Sequence, residues 1–387
     1  MACLFGALAA LASCNSGGFG GGSGPTPRVT QPVTGETLGT GSVRVALLLP
    51  LSATGNAGQL ALNMRNAADL ALRDFQTADL TILVKDDLGT PEGARAAASQ
   101  AISEGAQLIL GPLFAQSVSA VAQVARGARV PVIAFSTDTT AAAPGVYLLS
   151  FLPQSDVDRI IGYAASRGKK SFAALLPDNG YGTVVEAELQ SVAAAVGGRV
   201  MASARYSLDK IAMQDKANSI AELVRSGQVD SIFMPDAGDA APYLAQVLAA
   251  AGVRSDKITY LGSGQWDDKR VVGESNLNGG LFPAPDGTGF ASFAQRYQAA
   301  FNAPPYRSAT LAYDAVSLAA GLSSRFGDQR FATSTLTNAN GFIGVDGAFR
   351  FLPNGLNQRG LAVYQIKGGK SVLVDPAPRT FARSTGF

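Results

Sequence analysis

The chain has 387 residues, of which 47% are hydrophobic and 16% charged, and its formal net charge is +2. This length exceeds one compact core, so two domains are expected, and the near-neutral charge without a basic stripe argues against nucleic acid as a partner. Because the sequence has no histidine, and its two cysteines, Cys3 and Cys14, lie near the start, His-based catalysis, His-ligated metals and thiol chemistry in the body are excluded.

The N-terminal segment predicts export and a lipid anchor. Residues 1–14, MACLFGALAALASC, form an apolar run too short to span a membrane but typical of a signal peptide. The run ends in Leu-Ala-Ser-Cys14, which resembles the lipobox of bacterial lipoproteins, with Cys14 as the lipidated residue. A plain secretory leader with an incidental cysteine is the alternative, and no Lys or Arg precedes the run. Residues 15–41, rich in Gly, Ser, Thr and Pro, predict a flexible tether.

Strand and helix patterns alternate along the body. Residues 43–49 predict a buried strand, and the apolar spacing up to Phe75 predicts an amphipathic helix after it. Thr90 and Pro91 predict a helix start with Thr90 as N-cap, and Ser155 with Asp158 resembles a capping box. Further strands are predicted at 82–84, 107–110, 130–135, 172–176, 200–206, 231–234 and 258–261. This pattern predicts an α/β protein with parallel sheets, built twice in one chain.

Polar turns follow the predicted strands at their carboxyl ends. In open α/β sheets these ends form the crevice where ligands bind, and two facing halves would share one cleft. Asp86 and Asp87 are expected to cap the next helix and stay solvated. Asp236 is equally compatible with a ligand contact and a helix cap. The single tryptophan, Trp266, fits either a cleft rim or packing between the lobes.

An ordered series of segments resembles the type I periplasmic binding proteins, in particular their leucine/isoleucine/valine-binding branch. The segments are VRVALLLPLSATG, VKDDLGTPEGARAAASQAISEGAQLILGPLF, VPVIAFSTDTT, LLPDNGYG, FMPDAGDAAPYLAQVLAAAGV and ITYLGSGQWDD. The resemblance implies two Rossmann-like lobes, joined by three crossovers, that close over a small ligand. Lobe 1 would comprise residues 43–150 plus 278–338, and lobe 2 residues 151–277 plus 341–375.

The resemblance also implies where a ligand is held. In amino-acid binders of this family, hydroxyls and backbone N–H groups of the loops at 111–117 and 136–138 hold the carboxylate, and a tyrosine matching Tyr181 covers the ligand. The glutamate that pairs with the ligand ammonium is missing from Ser263-Gly264-Gln265, so Asp236 or Asp138 is the expected substitute. The candidate contacts are Ser52, Thr54, Phe114, Ser117, Ser136, Thr137, Asp138, Tyr181, Asp236, Ser263 and Trp266.

Two functions follow from these observations. The first is a non-catalytic, lipid-anchored solute-binding protein of the periplasm or cell envelope, without cofactor or metal, that delivers an amino acid or similar molecule to an ABC permease. The second rests on VALLLPLSA and EGAQLILGPL, which are similar to segments in lipoprotein activators of penicillin-binding proteins. In that case the same fold would dock onto a peptidoglycan synthase, and its surface rather than its cleft would carry the function.

Overall fold

Two largely parallel sheets organise residues 30–236 and 238–381, the part of the chain that the computed structural model describes. The elements of the first lobe are β1 (Thr37–Leu38), β2 (Val43–Leu49), α1 (Gly55–Asp74), β3 (Leu80–Asp86), α2 (Pro91–Ser103), β4 (Ile109–Leu110), α3 (Ala115–Ala128), β5 (Val132–Ala134) and β6 (Val146–Leu148). Its strand order is β1-β3-β2-β4-β5-β6, with only β1 antiparallel to its neighbour. Apolar clusters bury both faces of this sheet.

The second lobe repeats the pattern. Its elements are α4 (Pro153–Ser166), β7 (Ser171–Pro177), α5 (Gly180–Ala195), β8 (Arg199–Tyr206), α6 (Lys210–Arg225), β9 (Ser231–Phe233), α7 (Ala240–Ala250), β10 (Thr259–Leu261), α8 (Lys269–Val272) and β11 (Leu281–Ala284). The strands β8, β7, β9, β10 and β11 are neighbours in that order and run parallel. The α/β class predicted from the alternating pattern is therefore confirmed.

The chain crosses between the lobes three times. After β11 it returns to lobe 1 as α9 (Gly287–Phe301), α10 (Ala309–Ser323), α11 (Thr333–Leu336), β12 (Phe342–Gly344), β13 (Gly347–Phe351) and β14 (Asn357–Arg359). It then adds the antiparallel β15 (Ala362–Lys367) and β16 (Lys370–Asp375) to the second sheet. Short 3-10 helices occupy Thr139–Ala141, Gly264–Trp266, Ser275–Leu277 and Gly327–Gln329. The crossovers follow β6, β11 and β14.

Two segments lie on the other side of the predicted lobe boundaries. The strand β11 pairs with β10 and β15, so lobe 2 extends past residue 278 to the second crossover. The β12–β14 sheet packs on lobe 1, because Phe349 and Phe351 are buried in the same apolar cluster as α1 and α10. Lobe 2 therefore resumes at β15 rather than at residue 341. Aromatic packing across such long sequence separations leaves no local pattern in the sequence.

Part of the predicted tether is ordered on lobe 1. The strand β1 pairs with β3, and the Thr34 carbonyl accepts a hydrogen bond from Lys85 Nζ. Lys85 also forms a 2.7 Å ion pair with Glu104, and both side chains are buried. Residues 30–41 thus belong to the folded lobe, whereas residues 1–29, including Cys14, lie outside the described residues. Within the described ranges, no helix combines the length and apolarity needed to cross a membrane.

Three predictions about local structure have different outcomes. Thr90 caps α2 as predicted, since its Oγ1 accepts a hydrogen bond from Gly93 N at 3.1 Å. The Ser155 capping box is wrong, because α4 begins at Pro153 and Ser155 Oγ instead accepts from Arg359 N. The expectation that Asp87 stays solvated is also wrong. Its side chain is fully buried at the end of β3, and burial raises its pKa to about 6.

Candidate functional site

A cavity of about 440 Å³ lies where the three crossovers meet. Its lining comprises Phe151, Leu152, Pro153, Ser155, Asp156, Tyr181, Gly264, Gln265, Asp267, Ala284, Pro285, Arg307, Arg359 and Leu361. Residues of α4, α5 and the Gly264–Trp266 turn come from lobe 2, whereas Arg307 and Arg359 come from segments packed on lobe 1. The volume suits a small molecule, and the walls combine apolar side chains with a few charged groups, as ligand sites commonly do.

Asp156 is the central polar group of the lobe 2 wall. It lies in the first turn of α4, and its Oδ2 accepts a hydrogen bond from Gly264 N at 2.9 Å. Burial raises the pKa of this carboxyl to about 7, against which the Gly264 hydrogen bond acts only partly. Tyr181 and Asp267 lie on the same wall. Tyr181 donates to the Pro235 carbonyl at 3.3 Å, and burial raises its pKa to about 12.

Arg359 is the most enclosed charged residue of the lobe 1 wall. It ends β14 and is only 4% exposed. Its Nε donates to the Ser150 carbonyl at 3.0 Å, and its guanidinium lies 4.5 Å from the Phe151 ring centroid. Among the described residues, Nη1 and Nη2 have no hydrogen-bond partner. A buried guanidinium with unused donors is costly, and the charges of Asp314 and Asp346 offset part of this cost.

Arg307 lies beside Arg359 and is held by aromatic and acidic contacts. Its guanidinium lies 4.4 Å from the Phe290 ring centroid and pairs with the fully buried Asp346. Asp346 also accepts a 2.6 Å hydrogen bond from Thr310 Oγ1. The Arg307 side chain is 37% exposed, so it can offer donors to the cavity as well as to Asp346.

A further buried carboxyl, Asp314, lies behind this wall. Its Oδ1 accepts from Val345 N at 2.7 Å, while Oδ2 has no partner among the described residues. Burial raises the pKa of Asp314 to about 7, and the charge of Arg359 opposes the shift. Burial lowers the pKa of Arg359, and the charges of Asp314 and Asp346 act in the opposite direction.

Of the predicted contacts from lobe 2, Tyr181 and Ser263 lie at or beside the cavity. Tyr181 lines it directly. Ser263 is buried next to the lining residue Gly264, donates to the Pro235 carbonyl and accepts from Gln265 N. Trp266 is fully buried in the core of lobe 2, where its ring fills the space over Gly262. Trp266 thus lies neither at the cleft rim nor between the lobes, the two positions predicted for it, but inside the core of lobe 2.

Asp236 lies in a different depression from the main cavity. Its Oδ2 accepts a 3.0 Å hydrogen bond from Tyr206 Oη at the end of β8. It lines a space of about 380 Å³ together with Lys210, Asp239 and Tyr243, and none of these residues lines the cavity at the crossovers. The charges of Asp156 and Asp236 both help to raise the pKa of Tyr181, but of these two carboxyls it is Asp156 that lines the cavity at the crossovers.

The predicted lobe 1 contacts do not line the main cavity. Ser136 Oγ accepts from Asp138 N, and the exposed Asp138 caps the 3-10 helix after β5 through Thr140, whose hydrogen bonds lower its pKa. Ser117 is fully buried, and its Oγ has no partner among the described residues. The other predicted contacts of this lobe, all exposed, are Ser52, Thr54, Phe114 and Thr137.

Sequence reasoning missed the charged residues of the cavity. Asp156 follows a predicted helix start, but its cavity position depends on Gly264, 108 residues away. Arg359 and Arg307 occur in segments without a recognisable binding pattern. One feature of the sequence did indicate such a residue. The family's lobe 2 glutamate is missing, so a different carboxylate on that lobe was to be expected. No group of His, Cys, Asp or Glu suited to a metal ion was found within residues 30–236 and 238–381.

Known proteins share this architecture. Residues 42–370 match the family model described as periplasmic binding protein. A solved structure described as a branched-chain amino acid ABC transporter from Rhodospirillum rubrum is 16% identical, with a TM-score of 0.74, and the match covers 86% of this chain and 99% of that one. An ABC transporter solute-binding protein from R. palustris, in complex with benzoate, is 20% identical (TM-score 0.56; 89% and 98% covered). A leucine-binding protein from Thermotoga maritima is 18% identical (TM-score 0.55; 86% and 97% covered). No match was found among curated proteins.

Proposed function

Because the chain belongs to the periplasmic binding protein family, we propose that it captures a small polar molecule, such as an amino acid, between its lobes and delivers it to an ABC importer. In this role it binds and releases its ligand without catalysing a reaction. The location proposed is the periplasm or cell envelope, with the protein held at a membrane through a lipid on Cys14.

The observation that carries this proposal is the cavity at the crossovers. Both lobes contribute to its lining, and so do all three connecting segments. A ligand there contacts surfaces that move relative to one another when the lobes rotate. It therefore favours the closed state by the free energy of contacts that exist only when both walls reach it.

The solved structures support a small-molecule ligand without naming it. One is described as a branched-chain amino acid transporter protein, and another contains benzoate. At 16–20% identity, these two proteins are similar to this chain in fold alone. A ligand screen should therefore include both amino acids and small aromatic acids.

A thermal-unfolding screen of the purified protein tests the proposal. The panel comprises the common amino acids, hydroxy acids, benzoate and related aromatic acids. A ligand that binds only the native state must raise the unfolding midpoint, by an amount that grows with its concentration. We expect at least one compound class to do so.

A screen in which no compound raises the unfolding midpoint would count against solute binding. If the immobilised chain also captured a penicillin-binding protein, the activator function would be favoured instead. The anchor is tested separately: Cys14→Ala is expected to move the protein from the membrane fraction to the soluble fraction, and an unchanged distribution would contradict lipidation.

A further inference from the structure

The last described segment of the chain, residues 376–381, runs from lobe 2 back to lobe 1. It follows β16, the edge strand of the second sheet, and begins beside α4 of the same lobe. There Arg159 Nη2 donates to Asp375 Oδ2 at 2.5 Å and to the Pro376 carbonyl at 3.5 Å. Arg159 is itself held in place, because its Nε donates to the Leu361 carbonyl at 2.6 Å. The segment is therefore fastened to lobe 2 at its start.

The far end of this segment lies on lobe 1. The Phe381 ring centroid lies 4.7 Å from the Arg350 guanidinium of β13, and a Cβ at Gly341 would lie 2.9 Å from the same ring. Phe381 N and Thr380 Oγ1 both donate to the Asn340 carbonyl, at 3.5 and 3.4 Å. Because β13 packs in the same apolar cluster as α1 and α10, these contacts fasten the segment to lobe 1.

Between its two ends the segment lies on the third crossover. A Cβ at Gly360, between β14 and β15, would lie 2.8 Å from the Pro378 carbonyl oxygen and 3.1 Å from Pro378 Cγ. Arg350, which contacts the far end, also donates to Gln358 Oε1 at 2.7 Å, and Gln358 Nε2 donates to Asp158 of α4 at 3.1 Å. None of these residues lines the cavity. The segment thus bridges the lobes beside the cavity without contributing to its walls.

We propose that residues 376–381 form a strap that restrains rotation of the lobes and favours the arrangement of this structure, in which both lobes line one cavity. The strap is attached to both lobes, and a rotation about the crossovers moves one attachment relative to the other. Such a rotation strains or breaks the contacts at Arg159, Arg350 and Asn340. Most of the strap is exposed and several of its hydrogen bonds are long, so it shifts the equilibrium between arrangements without locking it.

The strap has a consequence for binding, and this part of the inference rests on the proposed solute-binding function. Where one arrangement of the lobes binds the ligand, the observed Kd is the intrinsic Kd divided by the populated fraction of that arrangement. Loss of the strap lowers this fraction, so it weakens binding although the strap does not line the cavity. Phe381→Ala, which removes one cation–π contact, should weaken binding about two- to fivefold.

Distances between spin labels measure the restraint without any ligand. Residues 15–387 contain no cysteine, so the full-length chain with Cys3→Ala and Cys14→Ala can carry one added pair. Glu92→Cys in α2 and Gln214→Cys in α6 provide one exposed labelling position on each lobe. Pulsed electron spin resonance then gives the distribution of distances between the lobes.

Two shortened chains form the matched comparison. The chain ended after Asp375 lacks the strap, whereas the chain ended after Phe381 keeps it. We expect a broader ligand-free distance distribution in the shorter chain. Phe381→Ala should have the same effect to a smaller degree, and Phe381→Tyr, which keeps a ring over Arg350, should behave as the wild type. Unchanged emission of Trp266, which is buried in lobe 2, verifies that the variants are folded.

The outcomes separate the strap from the function that it would serve. Identical distance distributions in the two shortened chains would overturn the proposal. Equal or tighter binding by the chain that lacks the strap, for a compound identified in the ligand screen, would overturn it as well. If no compound binds, the proposed function fails, and the distance distributions still decide whether the strap restrains the lobes.

Discussion

Asp156 is a carboxyl whose ionisation is tied to what occupies the cavity. Burial raises its pKa to about 7, so about half of the unliganded molecules have it protonated at that pH. A cationic amine pairs with the ionised form only. Amino-acid affinity should therefore fall as the pH drops below about 7, approaching about tenfold per pH unit, and should level off above about pH 8. Calorimetric titration on both sides of that pKa measures this slope.

The Asp156→Asn variant provides the reference for that slope. Asparagine keeps the acceptor for Gly264 N but does not titrate, so its affinity should be weak and nearly independent of pH across the same range. An equally steep slope in the variant would assign the titration to a different group. Tyr181, which faces Asp156, has a pKa of about 12 and does not change charge in this window.

Gly262 illustrates a residue whose identity is set by close packing. A Cβ at this position would lie 2.1 Å from the buried Trp266 ring. Gly262→Ala should therefore destabilise lobe 2 by about 1–3 kcal/mol through overpacking. Emission of Trp266, the single tryptophan, reports this lobe directly and should shift to longer wavelength at lower urea concentration than in the wild type.

Gly162→Ala is the matched control for that substitution, in the same lobe. Gly162 lies in α4, and apart from its chain neighbours and the nearby backbone of its own helix no atom lies within 4 Å of the position that an added methyl group would occupy. Alanine there should be neutral or stabilising by up to about 1 kcal/mol. If the two variants unfold at the same urea concentration, close packing at Gly262 is not what requires glycine.

Single residues were the hardest feature to predict from the sequence. Tyr181 was predicted because it matches the tyrosine that covers the ligand in the family that the sequence resembles, and it lines the cavity. Arg359 was not found, because its burial depends on Ser150 and Phe151, which lie far earlier in the chain (209 residues in the case of Ser150). The sequence around Trp266 is compatible with a core position and with a cleft rim alike. In the structure, the close contact of its ring with Gly262 shows that it lies in the core.

At the scale of elements, the segment before β2 depends on a buried ion pair. Lys85 on β3 and Glu104 at the end of α2 are 6% and 1% exposed, and both bind Thr34. Lys85→Met leaves the Glu104 carboxylate buried without its cation and should destabilise lobe 1 by about 3 kcal/mol. Urea unfolding measures the loss, and protease cleavage near residue 34 should become faster.

Replacing both partners separates the pair from its surroundings. A Lys85→Met and Glu104→Leu double variant should recover much of the lost stability, because no buried charge is then left unpaired. The exposed pair of Arg254 and Asp256 serves as the control, and Arg254→Met should leave stability unchanged. A double variant as unstable as the single one would show that the hydrogen bonds of Lys85 and Glu104 to Thr34 and Gln100, rather than the unpaired charge, are the main contribution.

Elements with a continuous run of apolar residues could be predicted from the sequence. Segments whose position depends on tertiary contacts could not. The apolar run of β2 indicates a strand buried on both faces, and six of its seven residues are buried. Residues 30–41 have the composition of a linker, yet pairing with β3 and the Lys85 contact order them on lobe 1. The aromatic residues of β13 gave no indication of which lobe they would join.

At the scale of the whole molecule, the resemblance to type I periplasmic binding proteins is confirmed by the family model and the shared fold. The order of segments made this predictable, since the alternating pattern occurs twice in one chain. Ligand binding should close the lobes around the crossovers. Small-angle X-ray scattering should therefore show a smaller radius of gyration with a saturating ligand, and Arg307→Gln should require more ligand for the same change.

The cavity at the crossovers is, in our proposal, the ligand site, and a crystal structure with the strongest compound from the screen would locate that ligand directly. We predict ligand density between the wall formed by Arg307 and Arg359 and the carboxylate of Asp156, beside Tyr181, with the lobes closed over it. Density at the Ser136 and Ser117 loops alone, with the crossover cavity empty, would contradict this assignment.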